Sequence, residues 1–445
     1  MSLPFLKPNY NLLLRSEMLK IIALSLFPFL LFGDIFEVVL STQENVKPLY
    51  ICAAHSEEKK EYLDRLRSVL TFDINCGGAI EVAPFTLDQE LSLFPFQKEH
   101  WDSFCYVLSM EAFDKKLLFS LIDVEKEKVK TYPPIPLTEN LTIDRYLIHR
   151  FSDQLHQELF SIQGIASKKI LYTQRAHNLN GKEPSWHSEV WICDSDGANA
   201  KQLTHTHGYC LSPGFLSTQE FFYVFHDKGQ SKIYRAFLNH PEENQLLLSM
   251  RGNQLLPAVA KSGLHLAFIA DVTGKPDLFL QQLDTKKKPL GKPRQLYSAP
   301  RATQASPTFS PDGKEIAFVS DKDGTPRIYL LNWKNPESQP KLLTKKFRDN
   351  SSPCWSADGK KLAYAAKVDG VRQICVYDFE KEEETQMTTG FETKENPSWA
   401  PNSLHLLYNT EGDLSELYLL PPHAKEPICI TSGPGQKRFG SWSIQ

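Results

Sequence analysis

The 445-residue sequence lacks several things, and each absence narrows what it can be. It has no excess of charge: 50 lysines and arginines against 53 aspartates and glutamates leave a formal net charge of −3. A sequence-independent pull toward nucleic acid, which requires many phosphates to be neutralised, is therefore not built into the composition. No block of like charge is long enough to form a tail. No apolar run reaches the roughly 20 residues that a membrane-crossing helix needs, so an integral membrane protein is not expected. The eight cysteines show neither C-x-x-C nor a zinc spacing. There is no G-x-G-x-x-G, GK[ST] or G-x-S-x-G pattern to carry a dinucleotide, a nucleoside triphosphate or a hydrolase nucleophile. With 41% apolar and 23% charged residues, the composition is that of a globular chain and excludes disorder. Length alone would suggest about three domains.

What is present begins with a short apolar segment. Lys7, Arg15 and Lys20 precede a twelve-residue apolar run at 21–32, the length of the hydrophobic part of a secretory signal. Met18 opens a more compact basic start than the residues before it. Residues 1–33 are accordingly read as a signal segment with a start at Met18, and 34–47 as the mature N-terminal segment. A retained N-terminal helix is the alternative. Export would allow cysteine oxidation. However, most cysteines sit inside apolar strand-like runs, such as Tyr-Ile-Cys-Ala (50–53) and Gln-Ile-Cys-Val (373–376), which points to buried thiols.

The strongest signal is a repeat. Ala-Ser-Pro-Thr-Phe-Ser-Pro-Asp-Gly-Lys (305–314) returns as Ser-Ser-Pro-Cys-Trp-Ser-Ala-Asp-Gly-Lys (351–360) and as Glu-Asn-Pro-Ser-Trp-Ala-Pro-Asn-Ser (395–403), with weaker copies upstream. Aligned positions are Phe215, Val259, Phe309, Trp355, Trp399 and Trp442, spaced 44, 50, 46, 44 and 43 residues apart. Each unit reads as a strand, a tight Asp-Gly turn, and three further strands, the pattern of a propeller blade. A solenoid is the alternative. At 169–204 a unit lacks its first strand, and the chain ends at 439–443 with a first strand lacking its followers. Joining them closes a ring of six blades. The recurrent aromatics are expected between blades, in the core.

Residues 45–165 lack the repeat. Leu-Tyr-Ile-Cys-Ala (49–53), Ala-Ile-Glu-Val-Ala (79–83), Phe-Cys-Tyr-Val-Leu (104–108) and Leu-Leu-Phe-Ser-Leu-Ile (117–122) read as strands. One helix is capped by Ser56 ahead of Glu57 and Glu58, and a second carries Ile143, Leu147, Phe151, Leu155 and Leu159 on one face. The fold class is thus two-domain: a small α/β N-terminal domain at 48–165, then a six-bladed β-propeller at 166–445 closed by the C-terminal strand.

This domain order, the Leu-Phe-Ser-Ile-Gln-Gly-Ile segment (159–165) and the Ala-Phe-Val-Ser-Asp-Lys-Asp-Gly-Thr-Pro-Arg-Ile-Tyr stretch (317–329) resemble the TolB family, the periplasmic component of the Tol–Pal system. The resemblance implies a non-catalytic monomer without cofactor. Its propeller would bind the peptidoglycan-associated lipoprotein Pal, and its N-terminal segment would engage TolA, supporting outer-membrane integrity and envelope constriction in cell division. In a propeller the loops entering the first strand and those following the second share one face. Family contacts to Pal fall in these loops, and by motif position they carry over to Asn253, Ala305, Ser306 and Asp321. The same loops add Gln254, Gln304, Asp349, Asn350, Ser352, Glu395 and Asn396 as partner-binding candidates. The bland alternative is that such residues only cap turns.

Two other functions are weighed. A metal-dependent polysaccharide lyase on a similar propeller would need converging histidines, for which His205, His207 and His226 are the candidates. A propeller scaffold for another partner is the third possibility.

Overall fold

The computed structural model describes residues 48–54, 60–84, 96–178, 185–335, 337–422 and 426–444. The signal segment, the segment 34–47 and the expected Ser56 cap lie outside them. Residues Lys47–Gln445 form one compact unit, and no described helix is long and apolar enough to cross a membrane.

Helix α1 (Lys60–Cys76) and helix α2 (Leu141–Phe160) pack together on one face of a five-stranded sheet. The sheet runs Leu49–Ala54, Tyr106–Phe113, Lys116–Asp123 and Lys128–Thr131, with Ile135–Pro136 beside the third strand. The first pair is parallel and the rest antiparallel. Leu66 and Leu70 of α1, Phe119 of the sheet and Phe151 of α2 share one core, and the Phe119 and Phe151 rings stack 4.0 Å apart. Helix α2 starts at Asn140, whose side chain accepts from Thr142 N and Ile143 N and so satisfies two free donors.

Two expectations change here. The stretch 79–83 makes only a bridge, Leu49 to Val82, held by Leu49 N donating to Glu81 O and Ala83 N donating to Leu49 O, both at 2.8 Å, while the Val82 N–H on the other side bonds the Asn75 side chain at 2.7 Å. The buried face of α2 is also rotated: Ile143 is 46% exposed, while Asp144, Ile148, His149, Phe151, Ser152, Leu155 and His156 are buried. Helix α2 packs against more than the sheet, and a polar edge faces a second surface.

That surface belongs to a β-propeller. Its strands form four four-stranded sheets and one eight-stranded sheet. A representative sheet is Gln304–Phe309, Ile316–Ser320, Arg327–Leu331 and Lys341–Leu342, all antiparallel. The Ser-x-Asp-Gly signature makes its first turn. Ser310 Oγ bonds Asp312 at 2.6 Å, and Gly313, at φ 64°, returns its N–H to Ser310 O. Ser356 and Asp358 repeat the bond at 2.6 Å.

The innermost strands share one irregularity, to which Arg348–Trp355 adds a second at Asp349. Ser212, Leu256, Ser306, Ser352, Asn396 and Phe439 all have φ between 46° and 57°, and the pairing register shifts at each. These are β-bulges in the left-handed region, a conformation that costs a side-chain-bearing residue roughly 1–2 kcal/mol. The C-terminal strand Gln436–Trp442 pairs antiparallel with Lys169–Asn178, Trp442 opposite Ile170. Within the eight-stranded sheet, a parallel bridge from Ser188 to Tyr209 joins the set around Ser185–Asp194 to the set around Tyr209–Phe215. The repeat aromatics Phe309, Trp355, Trp399 and Trp442 pack in clusters shared by adjacent sheets, as expected. Phe309 lies against Ala267, Ile269 and Leu278 of the preceding sheet, and Trp442 against Leu407, Leu417 and Leu419.

Candidate functional site

The innermost strands and the loops at one end of the sheets build a mouth, and the sequence candidates divide there by burial. Three are not on its surface. Gln254, Gln304 and Asn350 are 0%, 1% and 1% exposed. Gln254 Nε2 donates to Met250 O at 3.0 Å, and Asn350 Oδ1 accepts from Thr344 Oγ1 at 2.5 Å. They occupy the same repeat position, three residues before the proline, where the side chain turns back into the blade. A polar residue on a short inner strand can face either way; here Gln254 and Asn350 tie the incoming loop to the blade before it, whereas the Gln304 amide has no hydrogen-bond partner among the described residues.

Asn253 and Asp321 belong to a second arrangement. Asp271 accepts from Asn253 N and Asn253 Nδ2, both at 2.7 Å, and the Asn253 side chain also accepts from Ser231 N at 2.8 Å. In the next blade Asp321 accepts from Thr303 N at 2.7 Å and Thr303 Oγ1 at 2.9 Å. Each aspartate after a second strand thus straps the loop entering the first strand of its own blade. Both oxygens are used, as the turn-capping alternative requires.

The remaining candidates line the opening. Ala305, Ser306, Ser352 and Asn396 are half-buried on the bulged inner strands, and Ser352 Oγ bonds Asn396 Oδ1 at 3.1 Å. Asp349 and Glu395 are brought together by Arg372. Its guanidinium lies 2.6 Å from Asp349 and 3.1 Å from Glu395, and it donates to Ser351 Oγ at 3.1 Å. Ser351 Oγ in turn bonds Glu395 at 2.8 Å. Burial pushes the Glu395 carboxyl above its ordinary range, although Arg372 and Ser351 pull the other way. Next to it Arg438 pairs with Glu411 at 2.5 Å, and Glu411 is also raised by burial. Arg372 bears no mark in the repeat signature because it stands on a third strand, Val371–Asp378, just after the Gly370 turn. The cluster pairs charges with hydroxyls among the half-buried ends of adjacent first strands.

The histidines do not assemble. His226 Nδ1 lies 2.9 Å from Ser231 Oγ, and His205 Nδ1 lies 3.0 Å from Gln202 Nε2. Among the described residues, the metal-capable group whose atoms converge is His149, Asp194 and Asp196, which includes none of them. No disulfide forms among the described residues, and Cys76, Cys193, Cys210 and Cys375 are buried.

Comparison with known proteins settles the family. Residues 156–445 match the TolB beta propeller domain. The chain is 40% identical over 399 residues to a Protein TolB homolog of Protochlamydia amoebophila, covering 84% of each. It belongs to the TolB family. A TolB homolog of Chlamydia pneumoniae is 33% identical over 423 residues and covers 94% of both chains. The crystal structure of TolB from Acinetobacter baumannii superposes with a TM-score of 0.74 at 22% identity, over 90% of this chain and 97% of that one. At that identity the likeness speaks for the TolB fold.

Proposed function

We propose that this TolB-family chain is a non-catalytic, periplasmic protein-binding component of the Tol–Pal system, carrying its Pal site at the propeller mouth. Its N-terminal segment engages TolA, and the pair of contacts supports outer-membrane integrity and constriction during division. The observation that carries this reading is family membership over nearly the whole chain. The charged mouth around Arg372, Asp349 and Glu395 supports it, since paired polar groups at an opening set orientation and specificity in protein recognition.

The proposal includes the architecture behind the mouth. The eight-stranded sheet is read as two blades, which with the four separate sheets makes six, closed by Gln436–Trp442 on Lys169–Asn178. A boundary near residue 165 separates the α/β part from the propeller, and the protein acts as a monomer without cofactor.

Calorimetry with purified Pal tests the reading, using the full mature protein and a form starting near Ser41. Binding is expected from both. Arg372→Ala should weaken it more than about tenfold, because a truncated charge pair strands its partners. Absence of Pal binding by the full protein overturns the proposal and leaves a propeller scaffold for another partner.

A further inference from the structure

Away from the mouth, at the other end of strand Ser185–Asp194, the propeller meets both helices in a buried set of charges. His149 of α2 is 1% exposed. Its Nδ1 lies 2.8 and 3.0 Å from the two carboxylate oxygens of Asp73 on α1. Its Nε2 lies 3.9 Å from Asp194 and 3.9 Å from Asp196, at the end of the strand and in the turn after it. That nitrogen has no hydrogen-bond partner among the described residues.

The other groups around it can be enumerated. Arg145 of α2 pairs with Asp196, and Lys169 of the adjoining strand pairs with Asp194. The Asn199 amide donates to Asp194 at 2.7 Å. The thiols of Cys76 and Cys193 stay protonated because burial raises both. Burial pushes the Asp73 carboxyl up, while the bonds from His149 and Ser152 and the charge of His149 pull it down; with Asp73 ionised, three carboxylates face two fixed cations. One negative charge is left over in a place where desolvation penalises an unbalanced ion. A neutral imidazole donating to Asp73 would also aim a lone pair at two carboxylates. An imidazolium removes both problems at once.

We propose that His149 is a protonated clasp that holds α1 and α2 against the 194–199 turn of the propeller, and that loss of its proton at higher pH loosens this contact. Burial by itself would lower the imidazole. The hydrogen bond to Asp73 and the charges of Asp73, Asp196 and Asp194 outweigh burial and hold it above the ordinary 6.5. A base whose folded value exceeds its unfolded one contributes fully below the unfolded value, and the contribution fades as pH climbs through the folded value. The same contact contains a histidine of opposite kind. His405 Nε2 lies 2.6 Å from Cys76 O, and burial pushes that imidazole down to about 4. It is neutral at neutral pH, and its contribution is lost as pH falls from 6.5 toward 4. Between them the two histidines give the contact an acid limit and an alkaline limit.

The test uses the full mature chain with ¹⁵N-labelled histidine, the His149 signal being assigned by its loss in His149→Gln. We expect a doubly protonated ring at pH 7 that titrates above 6.5, with a lower midpoint in Asp194→Asn. Amide exchange of peptides from 60–76 and 141–160, corrected for intrinsic rates, should lose protection as pH passes that midpoint in wild type. In His149→Gln this step should be absent. Should His149→Gln fail to fold, the signal is assigned instead as the ring that shifts in Asp194→Asn, whose side chain keeps its shape, and that shift carries the test. A neutral His149 ring at pH 7 overturns the proposal, as does helix protection that shows no alkaline step. Proton release from His149 on adding Zn²⁺ at pH 7, reversed by chelator, would make the group a metal site and overturns it too.

Discussion

At the mouth a single guanidinium, Arg372, holds Asp349, Glu395 and the Ser351 hydroxyl in one cluster. Removing it leaves two carboxylates facing each other in a half-buried place. Arg372→Ala should therefore destabilise the protein by about 1.5–3 kcal/mol in urea unfolding, the usual worth of hydrogen bonds to charged groups. Adding Glu395→Gln should recover part of that loss, and additive losses would show that the cluster is not coupled. Gly197 is a different kind of residue. Its φ is 81°, and a Cβ there would stand 1.6 Å from Ile430 O. The left-handed conformation alone costs a side chain roughly 1–2 kcal/mol, and backbone must also move. Gly197→Ala should lower stability by more than that amount in the same measurement. Because Gly197 follows Asp196, exchange protection of α2 should fall with it.

The element that most repays attention is the bulged inner strand. Its left-handed residue recurs six times, as Ser212, Leu256, Ser306, Ser352, Asn396 and Phe439. None is glycine, so the surrounding sheet over-determines the conformation. Ser306→Gly should be close to neutral or slightly stabilising in chemical denaturation. Ser306→Val should cost about 1–2 kcal/mol, since a β-branched side chain is least tolerant of positive φ. Equal effects of the two would mean that the bulge relaxes freely. Helix α2 shows how far an element can be read locally. The i, i+4 spacing of Phe151 and Leu155 located the helix and half of its buried face. The other half is His149, Ser152 and His156, polar residues that periodicity assigns to solvent. They are buried because a second surface covers them.

For the whole molecule, the pairing of Gln436–Trp442 with Lys169–Asn178 joins residues some 260 positions apart, Gln174 to Pro434 for example. Deleting residues from Arg438 onward removes Trp442 from a core that contains Leu407, Leu417 and Cys193. Burying a large side chain is worth roughly 3–5 kcal/mol when lost, and a strand edge is exposed as well. The truncated protein should melt well below the full chain or fail to fold; an unchanged melting temperature would sink the idea that this strand closes the ring. The sequence alone determined the repeat, its turns and the incomplete units at either end of the propeller. Those depend on neighbours a few residues apart: Ser310 with Asp312, or Gly313 with Ser310. Only the tertiary structure decided that Gln254, Gln304 and Asn350 turn inward and that Arg372 reaches Asp349, 23 positions away. It also decided that His149 lies against Asp73, 76 positions away, and Asp194. A polar side chain carries no periodic mark of which way it faces, and a buried charge is legible only once its counter-charges have been folded around it.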